Sequence, residues 1–241
     1  RDWLLGGFVS LESVEIEEQA RTSAPLNVSQ TSFGIYGGWR SGPLAINAAG
    51  SYGTADFDSE RRVVIGGLTD RLVAGWKGST YSASARASYS IPMGAFELTP
   101  YAATDYVRLS QDGYTETSEA QSGLALVVDS GESTLATAGV GARLSTQFGE
   151  GLAMTFRPEI SAGYRSVLSW DAPSSTVRFV GGGTAPGFAL NPGQEPDDAF
   201  TAGLGLNVSG QFLNLKLGYD AEIADAAITH YGSITLRLAF W

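Results

Sequence analysis

The chain has 241 residues, no cysteine, one histidine, 31 glycines and a formal net charge of −10. Those values exclude a disulfide framework and a thiolate metal site, and they argue against nucleic acid, whose phosphates need a basic face. Charged residues reach only 17%, below the roughly 25% of soluble domains, and no run nears the ~18 apolar residues of a membrane helix.

A mean hydropathy of −0.01 does not exclude a membrane, because in a spanning β-barrel only alternate residues meet lipid. Period-2 alternation runs from end to end. Arg1-Asp2-Trp3 opens directly into it, as in a processed or truncated chain.

The first predicted strand, 2–14, carries Trp3, Leu5, Val9 and Leu11 on one face, and the acidic stretch 15–30 is expected to be a loop. The second, 31–40, sets Phe33, Ile35 and Trp39 against Ser32, Tyr36 and Arg40, and ends in the turn Ser41-Gly42-Pro43. The third, 44–55, places Leu44, Ile46, Ala48 and Tyr52 opposite Asn47 and Ser51. A charged loop around Asp56, Asp58, Glu60, Arg61 and Arg62 is expected next. The fourth, 72–91, alternates Tyr81, Ala83, Ala85, Ala87 and Tyr89 with Ser82, Ser84, Arg86 and Ser88, before the turn Pro92-Met93-Gly94.

The fifth runs from Phe96 towards Asp112, with a phase change that predicts a bulge near Tyr106. After a loop at 115–122 the sixth descends to Phe148, with Val140 and Leu144 opposite Gly139, Gly141 and Arg143. The turn Gly149-Glu150-Gly151 leads into the seventh, where Met154, Phe156, Ile160 and Tyr164 oppose Arg157, Glu159 and Arg165. The longest predicted loop is 169–198. The eighth strand carries Phe200, Leu204, Leu206 and Val208. After Gly210-Gln211 the ninth sets Leu213, Leu215, Leu217 and Tyr219 against Lys216, Asp220 and Glu222. The tenth, 230–241, aligns Ile234, Leu236, Leu238 and Phe240 opposite Thr235 and Arg237, and stops on Trp241.

Two regularities point to an all-β, antiparallel, up-and-down transmembrane barrel. Turns after even-numbered strands are tight, while connections after odd-numbered ones are mostly long and polar, as in outer-membrane barrels. The face opposite the apolar one repeatedly carries charge: Arg40, Arg86, Arg143, Arg157, Glu159, Arg165, Lys216, Asp220, Glu222 and Arg237 are expected to face a lumen. A soluble sandwich would need to bury every apolar face at once and leaves the loop asymmetry unexplained. Gly139, Gly141, Gly203 and Gly205 on the polar side make room for aromatics such as Tyr36 or Tyr101, or permit bending.

Several stretches resemble, in order, the C-terminal translocator domain of autotransporters (type V secretion): YSASARASYSI (81–91), LTPYAATDYVRLSQDGYTE (98–116), GVGARLSTQF (139–148), PEISAGYR (158–165), LKLGYDAEI (215–223) and YGSITLRLAF (231–240). The resemblance covers nearly the whole chain, 1–241 being one barrel domain. It implies a 12-stranded barrel in the Gram-negative outer membrane that helps an N-terminal passenger reach the surface. In it Trp3–Leu11 matches the family's third strand, so two strands, a lumen helix and the passenger are expected upstream of Arg1. The resemblance further implies a C-terminal assembly signal at Ile234, Leu236, Leu238, Phe240 and Trp241, read by the barrel-assembly machinery with periplasmic chaperones. The remaining implied partners are outer-membrane lipids, lipopolysaccharide and the chain's own passenger and lumen helix.

The rival classes are a small porin of ten to twelve strands and a barrel-fold hydrolase. The one histidine, His230, has Asp225 near it in sequence and Asp220 and Glu222 on the preceding strand, so a His–carboxylate pair is conceivable. No partner serine or paired aspartates accompany it, and no enzyme activity, cofactor or metal is expected. The acids Glu15, Glu17, Glu18, Asp112, Glu116, Glu119, Asp129, Glu132, Glu195, Asp197 and Asp198 read as solvated loop surface.

Overall fold

The computed structural model describes residues 2–16, 25–149, 153–172, 174–183, 186–190, 196–225 and 227–238. In chain order the strands are β1 (Asp2–Ile16), β2 (Leu26–Ser41), β3 (Leu44–Ile65), β4 (Leu68–Tyr89), β5 (Ile91–Met93) and β6 (Phe96–Gln111). There follow β7 (Tyr114–Thr115), β8 (Thr117–Ser118), β9 (Leu126–Val128), β10 (Gly131–Thr146) and β11 (Met154–Asp171). The chain continues through β12 (Ser175–Phe179), β13 (Phe188–Leu190), β14 (Ala199–Gly210), β15 (Leu213–Ala224) and β16 (Ile228–Leu238). The long strands are sequential neighbours in one sheet, β1-β2-β3-β4-β6-β10-β11-β14-β15-β16, with β5 on β6 and β8 on β4. β13-β12-β9-β7 form a second, small sheet.

Neighbours along the main sheet are antiparallel, so residues directly opposite share a face and a whole face can be followed by register. One such row joins Asp2, Arg40, Ala45, Ser88, Tyr101, Gly141, Gly163, Thr201 and Glu222. Side chains of this polar face from β1 to β15 meet around one cavity, which requires the sheet to curl with that face concave. The convex face carries the apolar residues, and they stay exposed: Val140 at 61%, Ile160 at 54%, Leu204 at 60%. Hydrocarbon can accept such a surface and water cannot, since an apolar patch of this extent is rare on soluble monomers.

Aromatics cluster at two levels of that surface. Trp3 and Trp39 lie 6.2 Å apart, and Phe148 and Phe156 5.8 Å, near the tight turns. Tyr52 and Tyr81 at 4.9 Å, and Tyr164 and Phe200 at 5.2 Å, lie towards the opposite end. Tyr81 and Tyr89 are separated by about eight residues of ~3.4 Å rise, or ~20 Å of height on a strand tilted ~40°. That spacing suits an apolar band of about 25 Å.

Strand order, alternation and the tight turns after β2, β5 and β14 follow the sequence expectation. Gly94, at φ 66°, takes the left-handed position that the turn between β5 and β6 requires. The expected turn at 149–151 lies partly outside the described residues. Four expectations are corrected. The acidic loop 15–30 is shorter, because β1 runs to Ile16 and β2 begins at Leu26, with Val14 opposite Val28. The charged segment Asp56–Arg62 is strand, since β3 and β4 continue as a hairpin to Gly66 and Gly67. Its charges pair across strands, Lys77 to Asp56 at 3.8 Å and Arg71 to Glu60 at 2.7 Å, while Ala55 and Phe57 on the other face are buried.

The bulge near Tyr106 is absent. β6 keeps one register with both β4 and β10, and the phase change arises because Val107 and Leu109 continue the concave face under folded loops. The register shift lies between Ala136 and Thr137 of β10, opposite the extra residue Leu168 of β11. Finally, the expected loops are not structureless: in and around 115–122 lie β7, β8 and β9, and the described residues of 169–198 include β12 and β13. Together with the top of the β3–β4 hairpin they form a crown. Among the described residues the buried apolar side chains are Ala55, Phe57, Leu72, Ala125, Val128, Val177 and Ala199, chiefly in this crown and the strand ends beneath it.

Candidate functional site

The concave face brings together most of what a site would need. By register all ten charged residues expected on one face do share it: Arg40 stands opposite Asp2, Arg86 opposite Asn47 and Ala103, and Arg143 opposite Thr99 and Ser161. Lys216 follows opposite Asn207, Asp220 opposite Gly203, Glu222 opposite Thr201, and Arg237 opposite Asn214. At the tight-turn end they surround a cavity of about 520 Å³ lined by Asp2, Arg40, Glu97, Arg143, Arg157, Glu159 and Lys216. A second cavity of about 440 Å³ continues past Tyr36, Asn47, Arg86 and Asp105.

Charge on this face is largely paired. Arg157 donates to Glu97 at 2.5 Å and to Ser145 at 3.0 Å; Arg165 donates to Glu222 at 2.6 Å. Arg143 and Lys216 approach Glu159 at 3.6 Å and 4.0 Å. Half-buried pairs of this kind offset each other's desolvation, whereas removing one partner leaves a charge stranded. Arg86 lies flat over the Tyr101 ring, 3.8 Å from its centroid, a cation–π contact. Glu97, Asn207 and Asp105 belong to this surface and were missed from the sequence, although their position in the period-2 pattern marks them.

The glycines of the face make room as expected, for two kinds of side chain. A Cβ on Gly141 would stand 2.5 Å from the Tyr101 hydroxyl, and one on Gly163 2.8 Å from it. Tyr36 lies over Gly6, not over the glycines named from the sequence. Gly203 and Gly205 admit carboxylates instead: Asp220 crowds the first, and a Cβ on the second would meet Glu159 at 2.6 Å. Gly139 faces backbone, with Tyr164 O at 3.1 Å from its would-be Cβ.

The conceivable His230–carboxylate pair is not formed. His230 sits on the convex face opposite Ala221 and hydrogen-bonds the Tyr219 hydroxyl at 2.7 Å, so Asp220 and Glu222 point the other way. One step of strand parity separates them. Among the described residues no group of three His, Cys, Asp or Glu side chains could hold a metal ion.

Several acids expected to be merely solvated are structural. Glu116 is buried and accepts from Arg61 Nη2 at 2.6 Å and from Leu126 N at 2.9 Å. Asp70 is 1% exposed and accepts from the Ser118 hydroxyl at 2.6 Å, from Ala120 N at 2.9 Å and from the Ser122 hydroxyl. Those hydrogen bonds, Ser118's and Ser122's foremost, pull its carboxyl down to about 2. Glu119 pairs with Arg71, Glu132 with Arg108 and Asp129 with Arg178. Asp198 accepts from Tyr164, Ser166 and Val167, and the Tyr164 hydroxyl chiefly holds its carboxyl below the usual range. Glu17, Glu18 and Glu195 lie outside the described residues. Beneath these contacts Phe57, Trp76 and Tyr114 stack, at 5.2 Å and 4.1 Å between centroids.

The expected assembly signal maps to an edge. Ile234, Leu236 and Leu238 are exposed on the convex face of β16, while Phe240 and Trp241 lie outside the described residues. Among those residues β1 pairs only with β2 and β16 only with β15.

The sequence profile of the autotransporter β-domain matches residues 1–222. Among solved structures, the translocator domain of autotransporter NalP from Neisseria meningitidis is 17% identical over 99% of this chain and 81% of that chain, at a TM-score of 0.63. The β-domain of the Bordetella autotransporter BrkA is 15% identical over 99% of this chain and 98% of that one, at a TM-score of 0.48. The transport unit of AIDA-I from Escherichia coli is 11% identical over 99% and 82%, at a TM-score of 0.42. No curated protein sequence matches.

Proposed function

The chain belongs to the autotransporter β-domain family and is an outer-membrane translocator that delivers a passenger to the cell surface; from that premise we propose how its parts divide the work. The convex rows meet lipid, with lipopolysaccharide at the outer girdle, and the concave face lines a hydrated lumen. Arg40, Arg86, Arg143, Arg157, Glu159, Arg165, Lys216, Asp220, Glu222 and Arg237 face the passenger-linked helix there. Two strands upstream of Arg1, joined by that helix and the passenger, fill the gap between β16 and β1 and complete a twelve-stranded barrel. The outer edges of β1 and β16, unpartnered among the described residues, support this reading.

Ile234, Leu236, Leu238, Phe240 and Trp241 serve as the assembly signal, offered as an edge strand to the barrel-assembly machinery after chaperone-guided transit. The domain acts by holding and guiding, without catalysis. The observation that carries the reading is the division of the long strands into an exposed apolar row and a polar, mostly charge-bearing row that converges inward. The test is surface delivery of the passenger by the full-length protein, followed by added protease on intact cells. Deleting Phe240 and Trp241 is expected to cut surface passenger and folded barrel together. Normal amounts of heat-modifiable barrel in that variant would refute the signal, and passenger at the surface without any folded barrel would refute the translocator role.

A further inference from the structure

Charge is distributed unevenly along the concave face. At the tight-turn end, Arg40, Arg143, Arg157 and Lys216 stand against Asp2, Glu97 and Glu159 around one cavity. Glu97 is taken by Arg157 at 2.5 Å. Glu159 alone serves two cations, its Oε2 3.6 Å from Arg143 Nε and its Oε1 4.0 Å from Lys216 Nζ. Arg40 has Asp2 as register partner, yet no ion pair joins it to any described residue. One step on, Arg86 keeps a buried Nε without an acceptor while its guanidinium plane is occupied by Tyr101. Nearer the crown the balance reverses, with Asp105, Asp220 and Glu222 against Arg165. Around this cavity four cations thus face three carboxylates, in a chain whose net charge is −10. Low-dielectric walls focus such a field into the cavity.

We propose that this collar of Arg40, Arg143 and Lys216, backed by Arg86, is an anion site that receives oxyanion groups, a carboxylate on a polypeptide in the lumen or a mobile anion. The proposal rests on the concave face being the lumen. Arginine and lysine with spare donors bind carboxylates through charge-assisted hydrogen bonds, and Arg143 and Arg40 retain planar forks for that purpose.

Residues 1–241 contain no cysteine, so with any cysteine upstream of Arg1 replaced, Thr99→Cys, opposite Arg143, reports on the collar alone. In outer membranes carrying the full-length protein, its reaction rates with a sulfonate-bearing and a trimethylammonium-bearing methanethiosulfonate are measured and taken as a ratio. Adding Arg143→Gln with Lys216→Gln is expected to lower the sulfonate-to-ammonium ratio about tenfold, the size expected of two nearby charges in screened water. Arg143→Lys with Lys216→Arg keeps it. The starting ratio identifies the source: near unity, a carboxylate of the upstream chain already sits in the collar; well above unity, mobile anions fill it. A ratio unmoved by neutralisation overturns the collar while leaving the lumen intact. If neither reagent reaches Thr99→Cys, the lumen assignment falls and the collar with it.

Discussion

The wall and the crown of this molecule are built for different solvents. In the wall, below the upper girdle, apolar side chains point outward and stay exposed, and the interior is charge paired with charge. In the crown, Leu72 and Val177 are fully buried and acids such as Asp70 and Glu116 are enclosed by donors, as in an ordinary soluble domain. The same backbone order serves both, since β3 and β4 pass without a break from one regime into the other. Their difference teaches that a strand's outward face is read by what surrounds it. Tyr81 and Ala83 face outward on the convex wall, and Lys77 and Arg71 do so nearer the crown on the same strand.

The sharpest way to break this comparison is to put one kind of charge in each region. Leu204→Arg places a cation at mid-height of the wall and is expected to cost about 2–4 kcal/mol, the depth-dependent figure for a lipid face. The folded, heat-modifiable species should drop severely. Val177→Asp strands a charge in the crown, and its expected result is cleavage of the external loops by added protease with the folded barrel retained. Loss of the barrel in both would show that crown and wall fold as one unit.

A smaller effect is expected inside the wall from Gly141→Val, whose Cβ would meet the Tyr101 hydroxyl at 2.5 Å and Ala162 O at 2.6 Å. Overpacking of that kind costs about 1–3 kcal/mol and should lower the thermal midpoint of the folded band. Acid separates the regions differently. Asp70 has a folded-state pKa of about 2, below its unfolded value of 3.8, so its contribution is fully present above about pH 4 and fades as pH falls towards 2. Protease resistance of the 114–128 loop should therefore hold at pH 5 and decline below pH 4. The smallest effect belongs to Arg108→Ala. Its pair with Glu132 is exposed, and no measurable shift of the thermal midpoint is expected.

The wall was legible in the sequence because period-2 alternation assigns each residue a face without tertiary information. All ten charged positions follow from that parity, as does the convex row of Ile234, Leu236 and Leu238. The crown was not legible. Asp56 to Arg62 looks like a loop by its charge, and only the cross-strand partners Lys77 and Arg71, brought opposite by the turn at Gly66 and Gly67, make it strand. Glu116 looks solvated until Arg61, distant in sequence, is placed beside it. Tyr106 suggested a bulge because Val107 follows it; Val107 stands on the concave face opposite Ser82 in an unbroken register, so the side-chain pattern changes there and the backbone does not. Long-range contacts decide such positions, and local patterns do not carry them.

The account stands most directly on which side chains of one strand meet lipid. Single cysteines at Asn214, Leu215, Lys216, Leu217, Tyr219 and Asp220 of β15, introduced into the full-length protein in outer membranes with any cysteine upstream of Arg1 replaced, can be tested with a membrane-impermeant, water-borne thiol reagent. The expected result is strict alternation, with positions 214, 216 and 220 labelled and positions 215, 217 and 219 protected until the membrane is dissolved. Labelling of 215 and 217 in intact membranes, with 214 and 216 protected, would contradict it.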